Sequence, residues 1–162
     1  MLGFVLKVWG FSGGTSETAE PEIAESAPLC RTLGYITVEG EAIFVRYIES
    51  ALSEIDRHGQ FVEMVAQLQK IIQVDTFAEC GIGFEGVYNC YFDRADVGDT
   101  VWRASQIVHE AVHYRRMLAG CFDCSDLVSE ELIAFEQQAQ FLRDCGRFAQ
   151  ARHVESLDGN HN

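Results

Sequence analysis

Basic residues are scarce in this chain: 12 lysines and arginines face 25 acids over 162 residues, a formal charge of -13. Nucleic acids and anionic membranes both select a positive surface, so neither is expected as a partner. The closest pair of positive charges, Arg115 and Arg116, stands inside a helical pattern. Long apolar runs are missing too, and nothing approaches the roughly eighteen residues that a spanning helix needs. A basic lead-in is also lacking. Met1 to Phe11 is apolar but short, its one positive residue (Lys7) lies within the run, and no clean small-residue cleavage site follows. That stretch reads as a short strand or an ordered tail rather than a secretory signal, and a cytoplasmic location is the default expectation.

Proline is limited to Pro21 and Pro28, both within an acidic, Ser- and Gly-containing stretch from Ser12 to Pro28. Such a composition buries too little to offset the entropy of ordering, so residues 1–28 read as a tail and flexible linker. What remains is enough for one domain with its own core, over 29–150, followed by a C-terminal tail. Six cysteines (Cys30, Cys80, Cys90, Cys121, Cys124, Cys145) form an even set. Without a signal they are expected as free thiols, and export by a non-classical route would reverse that reading.

Several elements are legible from periodicity. Gly34–Glu39 has the β-branched and aromatic texture of a strand. Ile43, Phe44, Tyr47, Ile48, Ala51, Leu52 and Ile55 recur at helical spacing over Glu41–Arg57, with His58-Gly59 as the stop. Val62, Val65, Leu68, Ile71 and Ile72 continue the same spacing, which predicts a second helix over Phe61–Val74. Gly81, Gly83 and Gly86 punctuate an aromatic stretch that reads as two short strands or a hairpin. Asp99 or Thr100 then caps a helix to about Leu118, and Ser125 or Asp126 caps another to about Cys145, ended by Gly146. Beyond it the chain is expected to fray.

The chemistry lies in the first of these last two helices, at His109-Glu110-Ala111-Val112-His113. Residues four apart share a helical face, so both imidazoles can reach one metal ion, while Glu110 is placed to act on water. With 5 histidines in the chain, a shuffled sequence of this composition yields only about 0.015 such pentapeptides. A catalytic zinc commonly takes three protein ligands. Glu131, early in the following helix, is the expected third. Glu131, Ala134, Gln138 and Leu142 form one stripe, and a small Ala134 permits close approach. Glu130 competes, but points about 100° away.

The order of strands, His-Glu-x-x-His helix, short loop and Glu-bearing helix resembles the zincin metallopeptidases, and within them the gluzincin branch. Glu131-x-x-Ala134-Phe135 is also similar to a pattern found in small, poorly characterised metallopeptidases. The metzincin extension is absent, since Arg116 and Ala119 stand where its Gly and third His belong, and the aspzincin signature is missing too. The resemblance implies an α+β zincin-like domain: a short twisted sheet packed on several helices, with the Glu-bearing helix antiparallel to the metal helix. It implies Zn²⁺ as cofactor, His109, His113 and Glu131 as ligands, Glu110 as general base, and a peptide or protein substrate. In zincins the substrate adds to the edge strand preceding the metal helix. Here that strand is expected at Val87–Asp93, with Val87, Tyr88 and Tyr91 as contacts. Tyr88, Tyr91, Tyr114 and His153 are candidates for stabilising an oxyanion.

Two other readings stay open on sequence. His109, His113, Cys121 and Cys124 form a recognised structural-zinc ligand set, although the order is reversed from a finger and the spacer is short. An acidic module that binds a basic partner through charge alone is the other. Oligomeric state has no sequence signal.

Overall fold

The computed structural model describes residues 28–31, 34–93 and 98–159, so the expectations for Met1–Phe11 and for nearly all of the linker lie outside the described residues. The architecture is α+β. Strands β1 (Pro28–Arg31) and β2 (Gly34–Glu39) are followed by helix α1 (Ala42–Arg57), a 3-10 turn at Gly59–Phe61 and the one-turn helix α2 (Val62–Val65). Strand β3 (Lys70–Val74) leads into the hairpin of β4 (Gly81–Ile82) and β5 (Val87–Tyr91). Three helices close the chain: α3 (Thr100–Leu118), α4 (Leu127–Asp144) and α5 (Phe148–Glu155).

The five strands form one mixed sheet in the order β1-β2-β3-β5-β4. The β2–β3 and β3–β5 pairs are parallel, and the outer pairs β1–β2 and β4–β5 are antiparallel. Residues alternate along β2 and β5, so that Ile36, Val38, Tyr88 and Cys90 are buried beneath the helices. From α1, Phe44, Tyr47, Ile48, Ala51, Leu52 and Ile55 enter the same core, the stripe its spacing predicts.

Two expectations are corrected. The helix expected over Phe61–Val74 is confined to Val62–Val65, and Lys70–Val74 is instead a central strand with parallel neighbours on both sides. A short apolar run is ambiguous between the two periods. In Lys-Ile-Ile-Gln-Val the β-branched residues and two ladders of backbone bonds decide for strand. The tail expected to fray is a helix: α5 buries Ala151 and Val154 against Phe135, Ala139 and Leu142 of α4, so the folded body runs past residue 150. An eight-residue helix is marginal by itself, and this apolar contact is what holds it.

The stop at Gly146 follows the expected physics. Its φ of +72° suits glycine. The Gly146 N–H donates to Arg143 O and the Arg147 N–H to Leu142 O, closing α4 with a Schellman pair of bonds.

Helix α3 occupies the middle of the molecule, between α1, α4 and the sheet. Asp99 caps it by accepting from the Trp102 N–H at 3.0 Å. From Arg103 to Tyr114 every residue is buried, and Arg103, Ser105, Gln106, His109, Glu110 and His113 are polar. Burial of a polar group costs about 1–3 kcal/mol unless it finds a partner. A helix with six of them must either pair them or use them.

Candidate metal centre

The histidine spacing does what a 3.6-residue turn dictates: both rings leave α3 towards α4, with their Nε2 atoms 3.1 Å apart. From α4, Glu131 meets both, its Oε2 at 3.3 Å from His109 Nε2 and its Oε1 at 3.2 Å from His113 Nε2. One ligand atom from each residue lies within 4.8 Å of the others, the one such group among the described residues. At metal–ligand distances near 2.0–2.1 Å, a tetrahedral ion spaces its ligands about 3.3 Å apart. The donor set and its spacing therefore fit a zinc-like ion.

Pairing along α3 and α4 runs in opposite directions: Arg116 meets Glu130, His113 and His109 meet Glu131, His109 meets Phe135, and Ser105 meets Gln138. The two helices are thus antiparallel. Ala134 is completely buried, as close approach requires.

Phe135 lies against the His109 ring at 5.0 Å and Phe122 meets His113 edge-on at 5.8 Å, so each imidazole is held by an aromatic neighbour. Gln138 bears on His109 and donates from Nε2 to Ser105 Oγ at 3.1 Å. His113 Nδ1 is buried with no hydrogen-bond partner among the described residues.

Burial and charge act in opposite directions here. Burial would push the Glu131 carboxyl up, but hydrogen bonds from both histidines outweigh it and hold the group well below the usual range. At His109 burial dominates and lowers the imidazole pKa. At His113 burial also works downwards, yet the Glu131 hydrogen bond and the nearby charge of Glu110 together carry the pKa above its ordinary value. Glu110 is 1% exposed, its Oε2 has no hydrogen-bond partner among the described residues, and burial pushes its pKa up to about 7.

The competitor Glu130 is engaged elsewhere. It accepts from Arg116 Nε at 2.5 Å and Nη2 at 2.8 Å, and from the Asp123 N–H at 3.0 Å. Arg116 Nη2 also donates to Cys121 O at 2.9 Å, so this pair fastens the α3–α4 loop. The hydrogen bonds from Arg116 hold the Glu130 carboxyl below its ordinary range despite burial. Cys121 and Cys124 are exposed free thiols, and neither belongs to the histidine cluster. The acid chosen by stripe geometry is the one beside the histidines. Phe135 stands in the Glu131-x-x-Ala134-Phe135 pattern, but its contact with His109, that of Phe122 with His113 and the Arg116–Glu130 clamp are fixed by how the helices and their loop pack.

The substrate-strand expectation is corrected. Strand β5 is flanked by β3 on one side and by the two-residue β4 on the other, so Val87 and Tyr88 are not on a free edge, while Tyr91 lies beyond the β4 pairing. The chain doubles back so tightly at Gly83–Gly86 that the two-residue strand before the turn takes the outer place. Tyr88 is fully buried beside Glu110 and the Cys80 and Cys90 sulfurs. Tyr91 is half-buried against Phe77, Tyr114 is buried against Gly86, and His153 is exposed on α5. Of the four oxyanion candidates, Tyr88 lies on the sheet across from Glu110 and Tyr114 stands one helical turn after it on α3.

No helix among the described residues is long and apolar enough to cross a membrane. Comparison with protein-family models, with curated proteins and with solved structures gives no match to this chain.

Proposed function

We propose that this chain is a zinc-dependent metallopeptidase of the gluzincin type. The observation that carries the reading is the convergence of His109, His113 and Glu131 at 3.1–3.3 Å, with Glu110 buried one residue from the first ligand. His109, His113 and Glu131 would hold the ion. Zn²⁺, when bound, supplies Lewis-acid polarisation of a carbonyl and acidifies water. Glu110 takes the proton at its carboxylate and returns it to the leaving amine. Phe122, Phe135 and Gln138 keep the two rings in place.

The edge that suits a peptide is β4. Gly83 N–H donates to Val87 O, so 83 and 87 are a hydrogen-bonded pair, and alternation makes Ile82–Tyr88 a non-bonded one. The Ile82 N–H and C=O then point away from β5, towards the side where a substrate strand would add. Phe84, 67% exposed at the hairpin tip, offers that strand an apolar contact.

The experiment is metal analysis coupled to a peptide-cleavage screen. Glu110→Gln is expected to keep stoichiometric zinc while cleavage is lost, and Glu131→Ala and His113→Ala to lose the zinc itself. Wild type that binds no zinc under any loading condition overturns the proposal. One observation favours a second reading, a structural ion at the same three ligands: each is at most 3% exposed, and structural sites are closed. Zinc that stabilises the fold, in a chain that cleaves no peptide in any screen, selects that reading.

A further inference from the structure

Outside the metal ligands, the hairpin brings two further reactive groups together. Gly81 pairs with Asn89 and Ile82 with Tyr88, so one step further along the ladder sets Cys80 opposite Cys90. Cys80 has extended backbone (φ -70°, ψ 139°), as continuation of that ladder requires. Because 81–89 is a hydrogen-bonded pair, 80–90 is a non-bonded one, with a Cα separation of about 4.5 Å. A disulfide spans roughly 4.4–6.8 Å between Cα atoms. Residues directly opposite in a ladder share a face, and both sulfurs are buried on the face beneath α3. Both also meet the backbone of Tyr91: Cys80 interacts with it, and Cys90 Sγ lies 3.6 Å from its carbonyl oxygen. Arg103 Nη1 donates to Cys90 Sγ at 3.3 Å, which favours the thiolate at that sulfur over its neighbour. Both cysteines are free thiols as they stand.

We propose that Cys80 and Cys90 are a redox pair that closes into a cross-strand disulfide when the chain meets a peroxide. The thiolate of Cys90 attacks one peroxide oxygen. The O–O bond breaks, hydroxide leaves, and a sulfenic acid forms. The Cys80 sulfur then attacks the Cys90 sulfur, the S–S bond forms, and the sulfenic oxygen departs as water with the Cys80 proton. In sum two thiols and one peroxide give one disulfide and two waters. A small oxidant suits a pair this enclosed, and closure ties the two-residue edge strand β4 covalently to β5 beside Glu110. The bond also takes from Arg103 the thiol it now holds.

The test uses full-length, metal-free protein, so its outcome is independent of the metallopeptidase reading. Hydrogen peroxide is added to wild type and to a variant carrying Cys30→Ser, Cys121→Ser, Cys124→Ser and Cys145→Ser, which keeps only the proposed pair. Intact mass is expected to fall by two hydrogens, proteolysis to release the Cys80 and Cys90 peptides joined, and dithiothreitol to reverse both. The urea midpoint should rise on oxidation and stay unchanged in Cys80→Ser. Peroxide that leaves both thiols free for alkylation after unfolding overturns the proposal. So does oxidation of either one to a sulfinic acid without a link, or a Cys121–Cys124 bond formed in their place. Wild type supplies the same mass map if the four-fold variant does not fold.

Discussion

Glu131 and Glu130 are neighbours in sequence and opposites in role, and the difference is a single 100° step around α4. One carboxylate faces two imidazoles and the other faces a guanidinium, each nearly fully buried and each held ionised by its partner. A further consequence follows from Gln138, which braces the His109 ring while bonded to Ser105. Outer groups of this kind typically tune metal affinity by about 10–100-fold. Gln138→Leu is therefore expected to weaken zinc binding in a competitive chelator titration while the fold survives. An unchanged affinity would remove Gln138 from the site. Gly86 is the other sensitive position. Its φ is +72°, and an added Cβ would stand 2.8 Å from the Tyr114 ring and hydroxyl, next in sequence to His113. Gly86→Ala should cost about 1–2 kcal/mol from backbone strain alone, seen as a lowered urea midpoint.

At the scale of elements, α3 and α4 make the site and the loop between them is pinned by one ion pair. Removing Arg116 leaves a buried carboxylate whose remaining partner is one backbone N–H, whereas removing Glu130 leaves a half-buried arginine free to reach water. Arg116→Ala should therefore destabilise more than Glu130→Ala, with the larger effect about 1–3 kcal/mol by chemical denaturation. Equal effects would mean that the clamp is screened by solvent. The same helices show what a sequence exposes. The Asp99 and Asp126 caps, the Gly146 stop and the α1 stripe were legible because each depends on a few adjacent residues. So was the set His109, His113 and Glu131, because one helical period and one short loop define it. Strand β3 was not, since Ile71 and Ile72 satisfy both periods and only pairing with β2 and β5, distant in sequence, decides between them. Nor was the interior position of β5, which depends on how tightly the hairpin turns.

For the molecule as a whole, an ion held by His109, His113 and Glu131 as proposed would be part of the stability, because all three are buried. A ligand that binds only the folded state adds about 2.7 kcal/mol at a hundred times its dissociation constant. Zinc should raise the melting temperature and a chelator should lower it again. His113→Ala should be insensitive to both. Removing α5 tests a different link, because Ala151 and Val154 cover the side of α4 that carries Phe135, the residue against His109. Truncation after Arg147 is expected to lower the melting temperature and to weaken zinc binding together. A loss of stability with unchanged zinc affinity would show that Phe135 is held well enough from within α4.

The antiparallel α3–α4 pair has one more implication, for the order in which the molecule is built. Arg116 and Glu130 are only 14 residues apart, and the clustered side chains of His109, His113 and Glu131 come from two consecutive helices. Pairing of β2 with β3 must wait for all of α1 and α2 to be traversed. Closing short loops costs less chain entropy than closing long ones, and locally connected structure forms sooner. Helices α3 and α4 can thus dock, and draw two histidines and a glutamate together, while the sheet is still incomplete. Zinc present during refolding would then act as a nucleating ligand, speeding the folding step itself as well as slowing the reverse one.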